Sequence, residues 1–282
     1  MISSRGRLPM QDCSASPPCA MALRARGLTL AHDLGAVCQQ LDLDIPAGRI
    51  TVILGPNGCG KSTLLRGLAR LLAPQAGTVL LDGKDLRRFG ARELAVRLGC
   101  LPQAPQAPDG IRVAELVARG RYPHQAFWQP WRAEDDEAVQ RALEQTRLTA
   151  LADRPVDTLS GGQRQRAWLA FALAQNAPVM LLDEPTTYLD IAHQLEVLDL
   201  CRSLNQRQGK TLVMVLHDLN QAARYADHIV ALRDGKVQAS GPPAEVITPE
   251  RVRRLFGIRC VVMADPVSGT PLVVPVSSAE TD

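Results

Sequence analysis

The chain has 282 residues, 46% of them hydrophobic, and a formal net charge of +3. That length allows one elaborated α/β domain or two small ones, and so mild and evenly spread a positive charge leaves no electrostatic footprint for nucleic acid. Seven cysteines form no C-x-x-C pair and no metal spacing, so they read as free thiols of a reducing compartment; with no apolar run near the roughly 20 residues that span a bilayer, the chain is expected to reach a membrane only through other subunits.

Residues 1–20 are rich in Ser, Pro and Arg without apolar periodicity and are expected to be a disordered tail, with the fold running over 21–282. From about Leu23 to Ile45 apolar residues alternate loosely, which predicts short antiparallel strands, and Pro46-Ala-Gly48 turns the chain into Ile50–Leu54, a β-branched run suited to a buried parallel strand. Residues 55–62, Gly-Pro-Asn-Gly-Cys-Gly-Lys-Ser, then match the pattern G-x-x-x-x-G-K-[ST] at every specified position. A polyphosphate needs backbone N–H groups and a helix N-terminus at contact distance, and only glycines let the backbone come that close. Gly55, Gly58 and Gly60 allow the tight loop, Lys61 reaches the β- and γ-phosphates, and Ser62 offers its hydroxyl to Mg²⁺; Pro56, Asn57, Cys59 and Thr63 complete the cradle. A thiol adduct on Cys59 is expected to block the phosphates. Helical apolar spacing over Thr63–Leu72 completes a strand, loop and helix, a context that a glycine turn without function would not need.

Thr78–Leu81 with Asp82-Gly83 predicts a strand and a turn. The character changes after Pro102, where helical segments over Val113–Arg119 and Glu134–Arg147, the second with Val139, Ala142 and Leu143 on one face, point to a helical subdomain at about 104–165. Leu159-Ser-Gly-Gly-Gln163 opens a further helix. Ser160 and Gln163 satisfy a capping box, the bland reading, but two adjacent glycines are a poor helix start. Gly161 and Gly162 make sense where a phosphate approaches bare backbone, so Ser160–Gln163 reads as a second phosphate-binding helix end, and a nucleotide shared between two copies of the chain follows. Val179–Leu182 and Thr211–Leu216 are buried-strand runs whose following residues should converge on the phosphate loop. After the first come Asp183, placed in the Mg²⁺ shell, and Glu184, placed to activate water; a solvated strand end is the alternative. Short β-like runs at Arg259–Met263 and Pro271–Val274 flank a turn at Gly269.

In that order, the phosphate loop, Gln103 in Leu-Pro-Gln, Leu159–Gln163, Asp183-Glu184, Tyr188-Leu-Asp190 and His217-Asp218 resemble the nucleotide-binding subunit of an ATP-binding cassette transporter. The resemblance implies an α/β P-loop NTPase core with an N-terminal antiparallel β-subdomain and a helical insertion subdomain, using ATP and Mg²⁺. It implies a head-to-tail homodimer in which Ser160–Gln163 of one copy faces the phosphate loop of the other, with Gln103 sensing Mg²⁺ and His217 contacting the γ-phosphate. His32 stands where the family usually stacks an aromatic on adenine; an ordinary strand-end histidine is the alternative. Two permease subunits, an extracytoplasmic substrate-binding protein and a peripheral place on the cytoplasmic face of the cell membrane follow from the same resemblance. Arg119–His124, Pro185–Asp190, His217–Gln221 and Asp265–Pro275 resemble the subunits that energise ferric-siderophore and ferric-citrate import. Vitamin B12, haem or a metal ion is the alternative solute. Cassette ATPases of ribosomes or DNA repair fit less well, since one signature is visible and no sustained heptads lie between Gly55 and Gln163. A nucleotide sensor without turnover is disfavoured by the presence of both Glu184 and His217.

Overall fold

The computed structural model describes residues 21–32, 35–103, 105–125 and 131–278, so the tail expected over 1–20 lies outside the described residues. Strand β1 (Met21–His32) pairs antiparallel with β2 (Gly35–Pro46), and these are 12 residues each where short strands were expected. The reason is in the register, which shifts repeatedly along β1, and Gly27 sits at φ 55°. Each irregularity resets which face a side chain takes, so one long strand reads as several loose ones. After β3 (Ile50–Leu54), helix α1 (Lys61–Leu68) stops four residues before the Leu72 expected from its spacing. Arg70 turns left-handed at φ 57°, and the N–H groups of Leu71 and Leu72 both return to the Arg66 carbonyl, which closes the helix end.

Next come β4 (Ala76–Leu81), β5 (Lys84–Asp85), α2 (Ala91–Arg97), β6 (Leu98–Leu101), α3 (Val113–Arg119), α4 (Ala133–Gln145) and α5 (Gly161–Gln175). They lead to β7 (Val179–Asp183), α6 (Ile191–Gln208), β8 (Thr211–Val215), α7 (Leu219–Tyr225), β9 (His228–Arg233) and β10 (Lys236–Gly241). The described chain ends in α8 (Pro243–Val246), α9 (Pro249–Phe256) and a hairpin of β11 (Ile258–Ala264) and β12 (Pro271–Ser278). One antiparallel sheet has the order β2-β1-β4-β5 and a second, central sheet β10-β9-β3-β8-β7-β6, parallel except at β10.

The central strands are apolar on both faces because each feeds two cores. Val52, Leu54, Met180, Leu182, Leu212 and Met214 pack with α3–α7, while Ile53, Leu181, Val213 and Val215 pack under the antiparallel sheet with α1 and α2. Period two sends neighbours to opposite sides. The helical layer is tied down by a buried ion pair: Arg121 Nε meets Asp135 Oδ1 at 2.8 Å and its Nη1 donates to the Ala174 carbonyl at 2.8 Å, joining the turn after α3 to α4 and α5. Gly120 lies so close to α5 that a Cβ would stand 2.4 Å from the Phe171 carbonyl oxygen. Among the described residues no helix is long and apolar enough to cross a membrane.

Candidate functional site

Strands β3, β8 and β7 are neighbours in the parallel sheet, so the loops that leave their carboxyl ends open side by side. After β3, Gly55 is packed so closely that a Cβ would lie 2.1 Å from the Leu232 carbonyl oxygen of β9, while Gly60 takes φ 102°. Only glycine meets both demands. Lys61 is 6% exposed and folds back, its Nζ donating to the carbonyl oxygens of Gly55 and Pro56 at 2.9 Å each. The ammonium is thus held over the loop by neutral acceptors, ready to exchange them for a more negative one.

Ser62 Oγ donates to Asp183 Oδ1 at 3.0 Å across the gap between β3 and β7. Burial pushes the Asp183 carboxyl above the ordinary range; the Ser62 hydroxyl opposes this and the neighbouring Glu184 charge adds to it. A buried carboxylate bonded to a hydroxyl that lines the cleft is a donor pair that fits Mg²⁺, an ion that takes one or two protein carboxylates and completes its shell with other oxygens. Among the described residues no cluster of three His, Cys, Asp or Glu forms a metal cage by itself.

Glu184 follows at φ 52°, a left-handed conformation that a non-glycine residue adopts at a cost of order 1–3 kcal/mol. Its carboxylate faces two donors, His217 Nε2 at 2.7 Å from Oε1 and Thr187 Oγ1, which donates to Oε2 at 3.0 Å, and the Gln103 side chain lines the same cleft and favours its charged form. Burial pushes the Glu184 carboxyl up, but these bonds, led by His217, outweigh it and hold the group below the usual glutamate range. It is therefore ionised at neutral pH. Behind it, Gln165 of α5 points its Nε2 at the Glu184 carbonyl at 3.5 Å.

Asn57, Gly58, Gly60, Lys61, Ser62, Thr63, Gln103, Glu184 and His217 line one cleft of about 560 Å³. Most of the residues singled out from sequence thus share a single space. Val37 of β2 also lines it and carries no motif by which sequence could find it; Gln165 was likewise not legible, and Thr187 stood in Pro185–Asp190 with no role of its own assigned to it. Cys59 does not join them. Its side chain is buried in the core beneath the antiparallel sheet and does not line the cleft, so the adduct expected to block the phosphates would have to form on a buried thiol. Burial raises its pKa, and that of the neighbouring Cys38 rises to about 11 for the same reason. The backbone of His32 ends β1, but its side chain lies outside the described residues, and the adenine contact with it.

Ser160, Gly161, Gly162 and Gln163 stand elsewhere. They line a separate cleft of about 450 Å³ with Tyr188, Leu189 and Asp190. The capping box is real: Ser160 Oγ accepts from the Gln163 N–H at 3.3 Å and Gln163 Oε1 from the Ser160 N–H at 3.1 Å. At Gly162 a Cβ would lie 3.0 Å from Leu189 Cδ2, so part of the need for glycine there is packing.

With this geometry in hand, the comparisons with known proteins agree among themselves. The family model described as "ABC transporter" matches residues 38–187. The ferric enterobactin transport ATP-binding protein FepC of Escherichia coli is 55% identical over 253 residues, 90% of this chain and 93% of that protein. The probable siderophore transport system ATP-binding protein YusV of Bacillus subtilis is 52% identical over 254 residues, 90% of this chain and 92% of that one. Among solved structures, an ABC transporter in an inward-facing conformation superposes with a TM-score of 0.77 at 31% identity, covering 91% of this chain and 98% of that one. The ATP-binding cassette MJ0796, in a dimeric post-hydrolysis state bound to ADP and Pi, gives a TM-score of 0.70 at 29% identity over 78% of this chain and 98% of its own.

Proposed function

The chain belongs to the ABC transporter family, and from that premise we propose that it is the ATP-hydrolysing subunit of an importer for a ferric siderophore or ferric citrate. The observation that carries the hydrolytic part is the convergence of the phosphate loop, the Ser62–Asp183 pair and the ionised Glu184 on one cleft. The solute is argued from relatives whose names assign them to ferric enterobactin, siderophore, petrobactin and achromobactin transport, at 51–55% identity over about nine-tenths of this chain.

In this reading Lys61 leaves the Gly55 and Pro56 carbonyls for the β- and γ-phosphates, and the loop N–H groups neutralise the rest. Ser62 and Asp183 hold Mg²⁺, which supplies charge neutralisation at the phosphates when bound. Glu184 takes the proton of the attacking water; its ionised state at neutral pH suits it to that task, and its hydrogen bonds fix its direction. His217, bonded to Glu184 and open on its other side, contacts the γ-phosphate, and Gln103 reports on Mg²⁺. Since Ser160–Gln163 opens on a different cleft, it meets a nucleotide only when a second copy approaches, and the active unit is a homodimer. Two permease subunits hold that dimer on the cytoplasmic face of the membrane, and an extracytoplasmic binding protein delivers the chelate.

The test is uptake of radiolabelled ferric siderophores and ferric citrate in iron-limited cells carrying Lys61→Ala. Loss of import of at least one ferric chelate is expected. Normal import of each, with loss of cobalamin import instead, would move the assignment toward the relatives named for cobalamin import in Halobacterium salinarum, which are 39% identical.

A further inference from the structure

The His217 side chain is 45% exposed, and among the described residues its ring is hydrogen-bonded to Glu184. Little else grips the side chain, so its position is set by the backbone from which it grows. That backbone is the entry to α7, where Asp218 caps the helix by accepting from the Gln221 N–H at 2.8 Å. Two residues further on, Asn220 faces the C-terminal hairpin. Its Nδ2 donates to the Val273 carbonyl at 3.2 Å and its Oδ1 accepts from the Val273 N–H at 2.7 Å, so the amide satisfies both backbone groups of a strand residue, as a neighbouring strand would. Val273 is buried in the same core as Ala222 and Ala223 of α7. The hairpin is itself braced at its turn, where Asp265 Oδ1 accepts from Val267 and Ser268 and its N–H donates to the Thr270 carbonyl. On the other side of α7, Gln221 Nε2 donates to Gln194 Oε1 at 2.7 Å, and Gln194 Nε2 donates to the Leu189 carbonyl at 3.0 Å, in the loop that follows Glu184.

We propose that Asn220 is a positioning residue for His217: by clamping α7 to Val273 of the hairpin it fixes the loop that holds the His217 ring against Glu184. The segments His217–Gln221 and Asp265–Pro275 therefore form one mechanical unit, although 53 residues separate Asn220 from Val273. The 2.7 Å bond between His217 and Glu184 does not survive a displacement of α7 by about an ångström, and misplacement of that size costs up to about 100-fold in rate.

The inference rests on the ATPase reading above. The experiment is a double-mutant cycle on ATP hydrolysis by the full chain, with ATP affinity and thermal melting measured alongside. Asn220→Ala is expected to lower kcat about tenfold while ATP affinity stays within about twofold, and to add less than about twofold in a His217→Ala background, because the residue acts through His217. Asn220→Asp keeps the acceptor for the Val273 N–H and loses the donor; it should fall between, and it carries the same cycle if the alanine variant fails to fold. Equal losses in both backgrounds, or full activity in a folded variant, would overturn the proposal. Lys61→Ala run in parallel abolishes turnover if the ATPase reading holds, which separates failure of that reading from failure of this one.

Discussion

Replacing Arg121 by methionine removes a cation that three helices share. Its Nε reaches Asp135 Oδ1 at 2.8 Å and its Nη1 the Ala174 carbonyl at 2.8 Å, with the two side chains of the pair only 10% and 7% exposed. Methionine retains the apolar stem, so the loss is electrostatic: Asp135 stays buried and, among the described residues, keeps the hydrogen bond from the Arg132 N–H at 3.2 Å. Breaking a buried pair by removing one partner costs about 3–5 kcal/mol, and the retained N–H sets the expected loss at the lower end, about 3 kcal/mol. For a chain of this size, at about 2 °C per kcal/mol, the melting temperature should fall by about 6 °C. Arg121→Met with Asp135→Ala should be more stable than the single variant, since it removes the stranded charge and loses only the cap at the start of α4, worth about 1 kcal/mol. Burial pushes the Asp135 carboxyl up, but the hydrogen bonds from Arg121 and Arg132 hold it below the ordinary range. Its contribution is therefore complete above the unfolded value of about 3.9 and is lost as pH falls through the lower folded value, so the gap between wild type and variant closes in acid. Calorimetry at several pH values reads all three effects. A fall of less than about 2 °C at pH 7, or additive losses in the double variant, would refute the reasoning.

Two further outcomes are expected. Glu184→Gln should bind ATP with near-native affinity yet hydrolyse it at least 100-fold more slowly, of the order lost with a general base, and accumulate as an ATP-bound dimer in light scattering; unchanged turnover would remove Glu184 from that role. Cys59 should resist iodoacetamide at pH 8 in the folded protein and react only on denaturation, because its thiol is buried and kept protonated; rapid modification by mass spectrometry would place the thiol in the cradle instead.

What the sequence carried and what it did not divide along physical lines. Ile50–Leu54, Val179–Leu182 and Thr211–Leu216 were legible because strands buried on both faces are continuous apolar runs, and each appears as a strand within a residue or so of the expected bounds. Strand β6 was not, since Leu-Gly-Cys-Leu is too short and too glycine-broken to announce an edge strand. The 18-residue helix α6 escaped because its buried stripe of Val197, Leu198, Cys201 and Leu204 is blurred by Ile191, Leu195 and Leu200, apolar residues on its other faces. At the site, the phosphate loop and Asp183-Glu184 announce themselves by spacing. The burial of the Cys59 thiol was not legible because a motif specifies backbone approach and says nothing of where an unspecified side chain turns. Arg121 and Asn220 sit in segments noticed for their resemblance, yet their partners Asp135, Ala174 and Val273 are fixed by tertiary approach, which no local pattern records.

The order β9-β3-β8 also sets a timetable for biosynthesis. Ile50 lies opposite Leu212, and Leu54 opposite Ala231, so the strand that carries the phosphate loop has neither sheet neighbour until β8 (Thr211–Val215) has been made, and lacks the second until β9 (His228–Arg233) follows. At about 5–20 residues per second of translation, an apolar five-residue strand waits on the order of 8–32 s with both edges unpaired. During that interval the emerging amino-terminal portion can close its antiparallel sheet but not its nucleotide cradle, and chaperones that shield short hydrophobic strands on the ribosome have a defined window and a defined target.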